Sequence, residues 1–220
     1  MLKLGFDRPR DAALKILCLG AHSDDIEIGC GGTILRLVTE YPQIDVTWIV
    51  FGSRDSRIEE AHASANQFLK PVENKKVIIM DFKDGFFPYK GEEIKEYFEG
   101  LKQQVNPDLV FTHYRHDLHQ DHRTISDLTW NTFRDHLIWE YEVPKYDGDL
   151  GTPNLFVPLD QATCQRKVKC LLDHFRSQEN KYWFTEETFV SILRLRGIES
   201  RAPDGYAEAF YCRKVVIGCF

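Results

Sequence analysis

Residues 15–40, KILCLGAHSDDIEIGCGGTILRLVTE, decide the fold. Lys15–Gly20 is a short apolar run closed by glycine, which reads as a buried strand. Within 31–40, GGTILRLVTE, the period changes: Ile34, Leu35 and Val38 share one face, as in an amphipathic helix. A strand handing over to a helix across a short polar turn is one half of a βαβ unit.

Outward from this stretch the alternation continues. DVTWIVFG (45–52), KKVIIMDF (75–82) and DLVFTHY (108–114) read as strands. Residues 57–69 and 92–104 read as helices, the second with Ile94, Tyr97, Phe98 and Leu101 on one face. This rhythm predicts an α/β, Rossmann-like three-layer sandwich with a mainly parallel sheet. The second half is less regular. Residues 122–138 read as a helix, 141–153 as a Pro/Gly/Asp-rich loop and 154–159 as a strand; 161–177 and 185–197 read as helices, and 206–217 as a strand closing the sheet edge. The expected organisation is one domain over residues 1–220, with an irregular C-terminal elaboration from about 141 and no internal repeat.

Composition narrows the class. The 220 residues suit a single core, and 28 basic against 34 acidic side chains give a net charge of −6. That balance provides no global attraction for nucleic acid or anionic membranes. No apolar run approaches the roughly 20 residues of a membrane-spanning helix, and the first residues lack the apolar region of a signal peptide. The six cysteines form no C-x-x-C pair; Cys18 in an apolar run and Cys30 in a glycine-rich turn read as buried thiols in a reducing compartment. The expectation is a soluble cytoplasmic protein, with a homo-oligomer permitted.

Chemistry concentrates in two clusters. Ala21-His22-Ser23-Asp24-Asp25 follows the first strand, where open α/β sheets bind ligands. One imidazole and two carboxylates can supply two metal ligands and a base, and His plus carboxylate suits zinc; an Asp beside a helix start also serves as a cap. The second cluster, His113 to His122, follows the fourth strand and holds four of the eight histidines. A single helical stripe cannot gather them, whereas a loop entering a helix near Asp121 can aim a subset at one point; solvated loop histidines are the alternative. Both clusters lie on the same rim of the predicted sheet.

His22-Ser23-Asp24-Asp25 followed by Gly31-Gly32-Thr33, together with Asp117-Leu118-His119-Gln120-Asp121-His122-Arg123, resembles the paired motifs of the PIG-L/LmbE-like zinc-dependent N-deacetylases. Ser23 and Gln120 replace the proline usual in each motif. Weaker similarity covers Arg57–Leu69, Ser177-Gln178, Arg196-Gly197 and Tyr206–Phe210. The resemblance implies His22, Asp25 and His122 as metal ligands and Asp24 as general base. It implies His119 as acid or oxyanion stabiliser, with Asp121 orienting a neighbouring histidine. It further implies zinc, or Fe²⁺, Co²⁺ or Ni²⁺ in its place, and a small-molecule N-acetylated sugar as substrate. The residues agree with that chemistry: three protein ligands leave a fourth position for water.

Other features divide between readings. Gly29–Thr33 forms a tight strand-to-helix turn or a phosphate cradle. Arg57 binds a substrate hydroxyl or makes a surface ion pair. His62 reads as structural. Tyr182 and Trp183 pack, or wall a sugar. The expected function is a zinc-dependent amidohydrolase removing an N-acyl group from an amino sugar. Its rivals are a metal-dependent phosphoesterase and a non-catalytic sugar- or nucleotide-binding module.

Overall fold

Along β1 (Leu14–His22) consecutive side chains enter different layers: Ile16 and Cys18 join one apolar cluster, and Leu17, Leu19 and Ala21 join the other. β2 (Ile44–Gly52) divides in the same way, with Val46, Trp48 and Val50 opposite Ile49 and Phe51. Strands apolar on both faces must be covered on both. The computed structural model, which describes residues 5–6 and 12–217, covers them with helices on each side.

The chain continues from β1 through α1 (Asp25–Glu40), β2, α2 (Ser56–Phe68), β3 (Asn74–Ile79) and α3 (Gly91–Gln104). Then come β4 (Leu109–His113), α4 (Gln120–Thr132), β5 (Leu137–Tyr141), β6 (Leu155–Leu159), α5 (Gln161–His174), α6 (Glu186–Ser200) and β7 (Tyr206–Tyr211). The sheet has seven strands in the order β3-β2-β1-β4-β5-β7-β6. β1 to β5 are parallel, and β7 runs antiparallel to both of its neighbours. α1, α2, α5 and α6 pack together on one face, α3 and α4 on the other. The chain reverses direction across the sheet between β1 and β4, so the carboxyl ends of these two strands flank the switch point where such sheets bind ligands.

Four expectations need correction. The helix read over 122–138 stops at Thr132, and Leu137–Tyr141 is a strand between β4 and β7. β7 is interior, and β6 forms that edge. The helix read over 161–177 ends at His174, followed by a 3₁₀ turn at Arg176–Gln178. Gly29–Thr33 is neither turn nor cradle: it lies buried inside α1, which begins at Asp25.

Packing accounts for the glycines. A Cβ at Gly29 would stand 2.1 Å from the Tyr141 ring, one at Gly31 2.7 Å from Phe68, and one at Gly32 2.5 Å from Leu159. Tyr141 cannot yield, being buried with its hydroxyl donating to the Leu19 carbonyl at 2.7 Å. Gly29→Ala should therefore cost about 1–3 kcal/mol by overpacking. Gly100, exposed in α3 where an added Cβ would meet no other part of the fold within 4 Å, should instead gain about 0.5–1 kcal/mol on replacement by Ala. Denaturant unfolding of the two variants should give shifts of opposite sign; two shifts of like sign would refute the packing account.

α1 is also gripped from β7. The Glu208 carboxylate accepts the amides of Gly32 and Thr33 at 2.7 and 2.6 Å. Buried Lys167 joins Glu208 and the Ile28 carbonyl, both at 2.6 Å. Cys18, Cys30, Cys164, Cys170 and Cys212 are free thiols, and burial raises the pKa of Cys18 and Cys30, which keeps them protonated; Cys219 lies outside the described residues. Among the described residues no helix is long and apolar enough to cross a membrane.

Candidate metal centre

β1 ends at His22 and α1 begins at Asp25, so the passage from strand to helix places four polar side chains, His22, Ser23, Asp24 and Asp25, at the switch point. Ser23 Oγ donates to Ser53 Oγ at 2.8 Å, tying this turn to the end of β2. On the adjacent strand β4 ends at His113, and the following loop leads to His119, which caps α4 by accepting the Asp121 amide on Nδ1 at 3.2 Å. His122 follows in the first turn. All of these side chains except half-buried His119 are nearly or fully excluded from solvent.

His22 Nδ1, His122 Nε2 and Asp25 Oδ2 form a triangle with edges of 3.2, 3.4 and 3.5 Å. Ligands about 2.0–2.2 Å from a tetrahedral ion stand about 3.4 Å apart, so the donors fit a divalent ion. Their outer atoms point the same way. His122 Nδ1 lies 2.9 Å from Asp117 Oδ2, and His22 Nε2 lies 3.2 Å from Asp121 Oδ2 and 3.1 Å from Asp84 Oδ1. Each imidazole has a carboxylate at its outer nitrogen and, when neutral, can turn the lone pair of its inner nitrogen towards the point that Asp25 also faces, the arrangement that orients histidine ligands around a metal. The tautomers follow from these partners.

Burial and neighbouring charges set the protonation of these groups. Burial opposes a charge on His22, but hydrogen bonds to Asp121 and Asp25 prevail and raise its pKa well above the usual 6.5. Burial holds His122 down to about 4, against the pull of Asp25 and Asp117. Asp25 stays ionised despite burial, its pKa lowered well below normal by His122 and His113.

Asp24 stands beside the triangle. Its Oδ1 accepts Arg57 Nη2 at 2.9 Å, while its buried Oδ2 has no partner. Burial raises the Asp24 pKa, and Arg57 opposes that rise. Arg57 is therefore a buried-side ion pair to the proposed base, not a surface pair. Asp121 turns to His22 and accepts the amides of Gly85 and Phe87 at 2.6 and 3.1 Å. Gly85 makes this possible with φ near +80°, open to glycine at no steric cost.

Neither Asp121 nor Asp117 meets the His119 ring in a hydrogen bond; Asp117 accepts the His119 backbone amide at 2.8 Å. Burial and the nearby His22 lower the His119 pKa, and Nδ1 is already an acceptor, which leaves the proton on Nε2. His116 is exposed against Tyr114, His62 is exposed on α2, Tyr182 is exposed, and Trp183 packs on the core.

Two residues in the centre, Asp84 and Lys145, were not singled out from sequence, and His113 stands in the second cluster without an assigned role. His113 accepts the Ala21 amide on Nε2 at 2.9 Å, stacks on His122 and lies 3.3 Å from Asp25. Asp84 comes from the loop after β3, and Lys145 from the loop after β5, where it meets Asp117 Oδ2 at 2.9 Å. The one available signal was position: each follows or ends a strand at the ligand-binding rim. Three overlapping donor groups lie within 4.8 Å: His22, His119 and His122; His22, Asp84, His119 and Asp121; and Asp25, His113 and His122. Each shares at least one residue with the triangle of His22, Asp25 and His122, so an ion in the triangle leaves none of them whole.

A family model described as GlcNAc-PI de-N-acetylase, PIG-L, matches residues 17–133, which contain both motifs. The chain belongs to the PIG-L family. Among relatives, it is 30% identical over 116 residues to an uncharacterized deacetylase, YaiS, of Escherichia coli K12, covering 50% of this chain and 63% of that protein. It is 28% identical over 137 residues to diacetylchitobiose deacetylase of Thermococcus kodakarensis, covering 55% of this chain and 50% of that one. The matches therefore span between half and two thirds of these PIG-L relatives. A solved structure of 4-carboxy-2-hydroxymuconate hydratase, GalB, from Pseudomonas putida KT2440 superposes with a TM-score of 0.74 at 15% identity, over 94% of this chain and 99% of that chain. That likeness shows the α/β fold alone; chemistry has to be argued from the site.

Proposed function

We propose that the protein is a zinc-dependent N-deacetylase acting on an N-acetylated amino sugar or its conjugate. One observation carries the reading: two imidazoles backed by carboxylates converge with Asp25 beside a buried, unpaired oxygen of Asp24. Membership of the PIG-L family and the relative named for diacetylchitobiose support the acetyl group and the sugar.

His22, Asp25 and His122 would hold the ion, and their N/O donor set equally accepts Fe²⁺, Co²⁺ or Ni²⁺. The ion, when bound, supplies Lewis acidity that polarises an acyl oxygen and makes water a nucleophile near neutral pH. Asp24 takes a proton from the attacking water, and its raised pKa makes it a stronger base. His119 donates Nε2–H to the oxygen that gains charge as the acyl carbon becomes tetrahedral. With His119 neutral, Asp24 returns its proton to the amine nitrogen as the C–N bond breaks. Arg57 holds Asp24 in place.

The anion-cradle alternative fails because Gly29–Thr33 lies buried within α1. A two-metal phosphoesterase is less favoured, because one ion held by His22, Asp25 and His122 takes at least one residue from each of the other donor groups among the described residues. The deciding experiment incubates zinc-loaded protein with N-acetylglucosamine, diacetylchitobiose and glycoside conjugates and measures released acetate. Turnover of phosphodiesters in place of all of these would overturn the proposal.

Metal binding should release protons. Below its raised pKa, His22 carries a proton that an incoming ion must displace, so apparent affinity should fall about tenfold per unit as pH drops. In metal-free protein the sign reverses: His22 contributes stability that is complete below 6.5 and lost as pH rises through the raised value. Calorimetric zinc titrations near neutral pH, in buffers of unlike ionisation enthalpy, should report about one proton released. Heats independent of buffer would contradict this.

A further inference from the structure

We propose that Lys145, outside the segment matched by the family model, is a positioning residue that holds Asp117 in register and through it the imidazole of His122. The inference rests on the proposed metal centre and adds to it the loop between β5 and β6.

Asp117 is fully engaged. Its Oδ1 accepts the His119 amide at 2.8 Å, and its Oδ2 accepts both His122 Nδ1 and Lys145 Nζ at 2.9 Å. Lys145 also reaches Asp149 Oδ2 at 2.5 Å, and that oxygen accepts the Leu118 amide at 2.7 Å. The three charged side chains are 9%, 3% and 6% exposed, so water screens little of their interaction. The ammonium thus sits between two buried carboxylates and touches the same oxygen that fixes the His122 tautomer. Without it, Asp117 and Asp149 would face one another uncompensated, and the oxygen that orients His122 would be free to turn.

Simple anchoring of the loop does not explain the lysine. The loop has its own clamp, in which Glu142 binds Arg196 at 2.8 Å, the Tyr211 hydroxyl at 2.8 Å and the Gly151 amide at 3.1 Å. Arg196 closes the clamp on the Gly151 carbonyl at 3.0 Å. Lys145 is therefore free to serve the metal centre.

The test uses the full chain with Lys145→Met, measuring zinc affinity by chelator competition and the visible spectrum of the Co²⁺-loaded protein. Zinc should bind about 10–100-fold more weakly, the usual cost of removing an outer-sphere partner of a histidine ligand. The cobalt bands should shift in position or intensity, a change that a loosened loop at an intact centre would not cause. If Lys145→Met fails to fold, Lys145→Gln, which keeps one donor and lacks the charge, should show the same two changes. Wild-type zinc affinity and an unchanged cobalt spectrum in the folded variant would overturn the inference. His122→Ala, measured alongside, separates the two levels: if it too bound zinc normally, the proposed ligand set would be wrong, whatever Lys145 does.

Discussion

Asp24→Asn should abolish most turnover while the metal stays bound, whereas His22→Ala should remove metal and turnover together. Asp24 contributes no edge to the donor triangle, and its Oδ2 is buried without a partner. Asn keeps an oxygen for Arg57 and nearly the same shape but cannot accept a proton from water. Loss of a general base usually costs about 10²–10⁴-fold in rate. His22 supplies one of the three donors of the triangle, which face one another within 3.5 Å. Its removal should cost more than the roughly 10–100-fold in affinity lost with an outer-sphere partner. Metal content by atomic emission and acetate release should be measured on the same preparations. If Asp24→Asn retained near-normal turnover, the base would have to be another group. If His22→Ala retained full metal, the triangle would not be the site.

His119→Ala should lower kcat by about 10²–10³-fold, the scale for removing one oxyanion donor, with little change in KM. Such a donor acts on charge that develops only in the transition state. Metal content should match wild type. The pH profile tests the protonation state. His119 has a lowered pKa and acts here in its neutral form, so activity should rise through the acidic range and then hold. A cationic acid would instead give an alkaline limb, and His119→Ala would remove it. An alkaline limb present in wild type and absent from the variant would restore the cation and refute the neutral donor.

The parallel half of the fold was legible because β1 to β4 each contain a short apolar run and the intervening helices show a clear period. β5 was missed because Leu137–Tyr141 follows the helical Gln120–Thr132 after only four residues, and the apolar pattern runs on across the turn. The change to Leu-Ile-Trp, rich in strand-favouring types, was the neglected signal. Gly29, Gly31 and Gly32 argued against a helix by propensity. Contacts with Tyr141, Phe68 and Leu159 override that propensity, and no local sequence displays them. In the site, the two motifs bring His22, Asp24, Asp25, His119, Asp121 and His122 together. Asp84 and Lys145 escaped notice because each is a single charge in a loop, given meaning only by the partner that folding supplies.

The placement of β7 bears on how the chain is made. Tyr141 of β5 pairs with Phe210 of β7, although the ribosome delivers them far apart in time. Until residues 206–211 emerge, a nascent chain with β1 to β5 already paired would present the open amides of β5 to any neighbouring strand. α1 would meanwhile wait for the Glu208 carboxylate that grips its backbone. A chain cut short by a premature stop before residue 206 would keep both metal motifs and still be a substrate for chaperones and proteases. Its defect would be insolubility rather than altered chemistry.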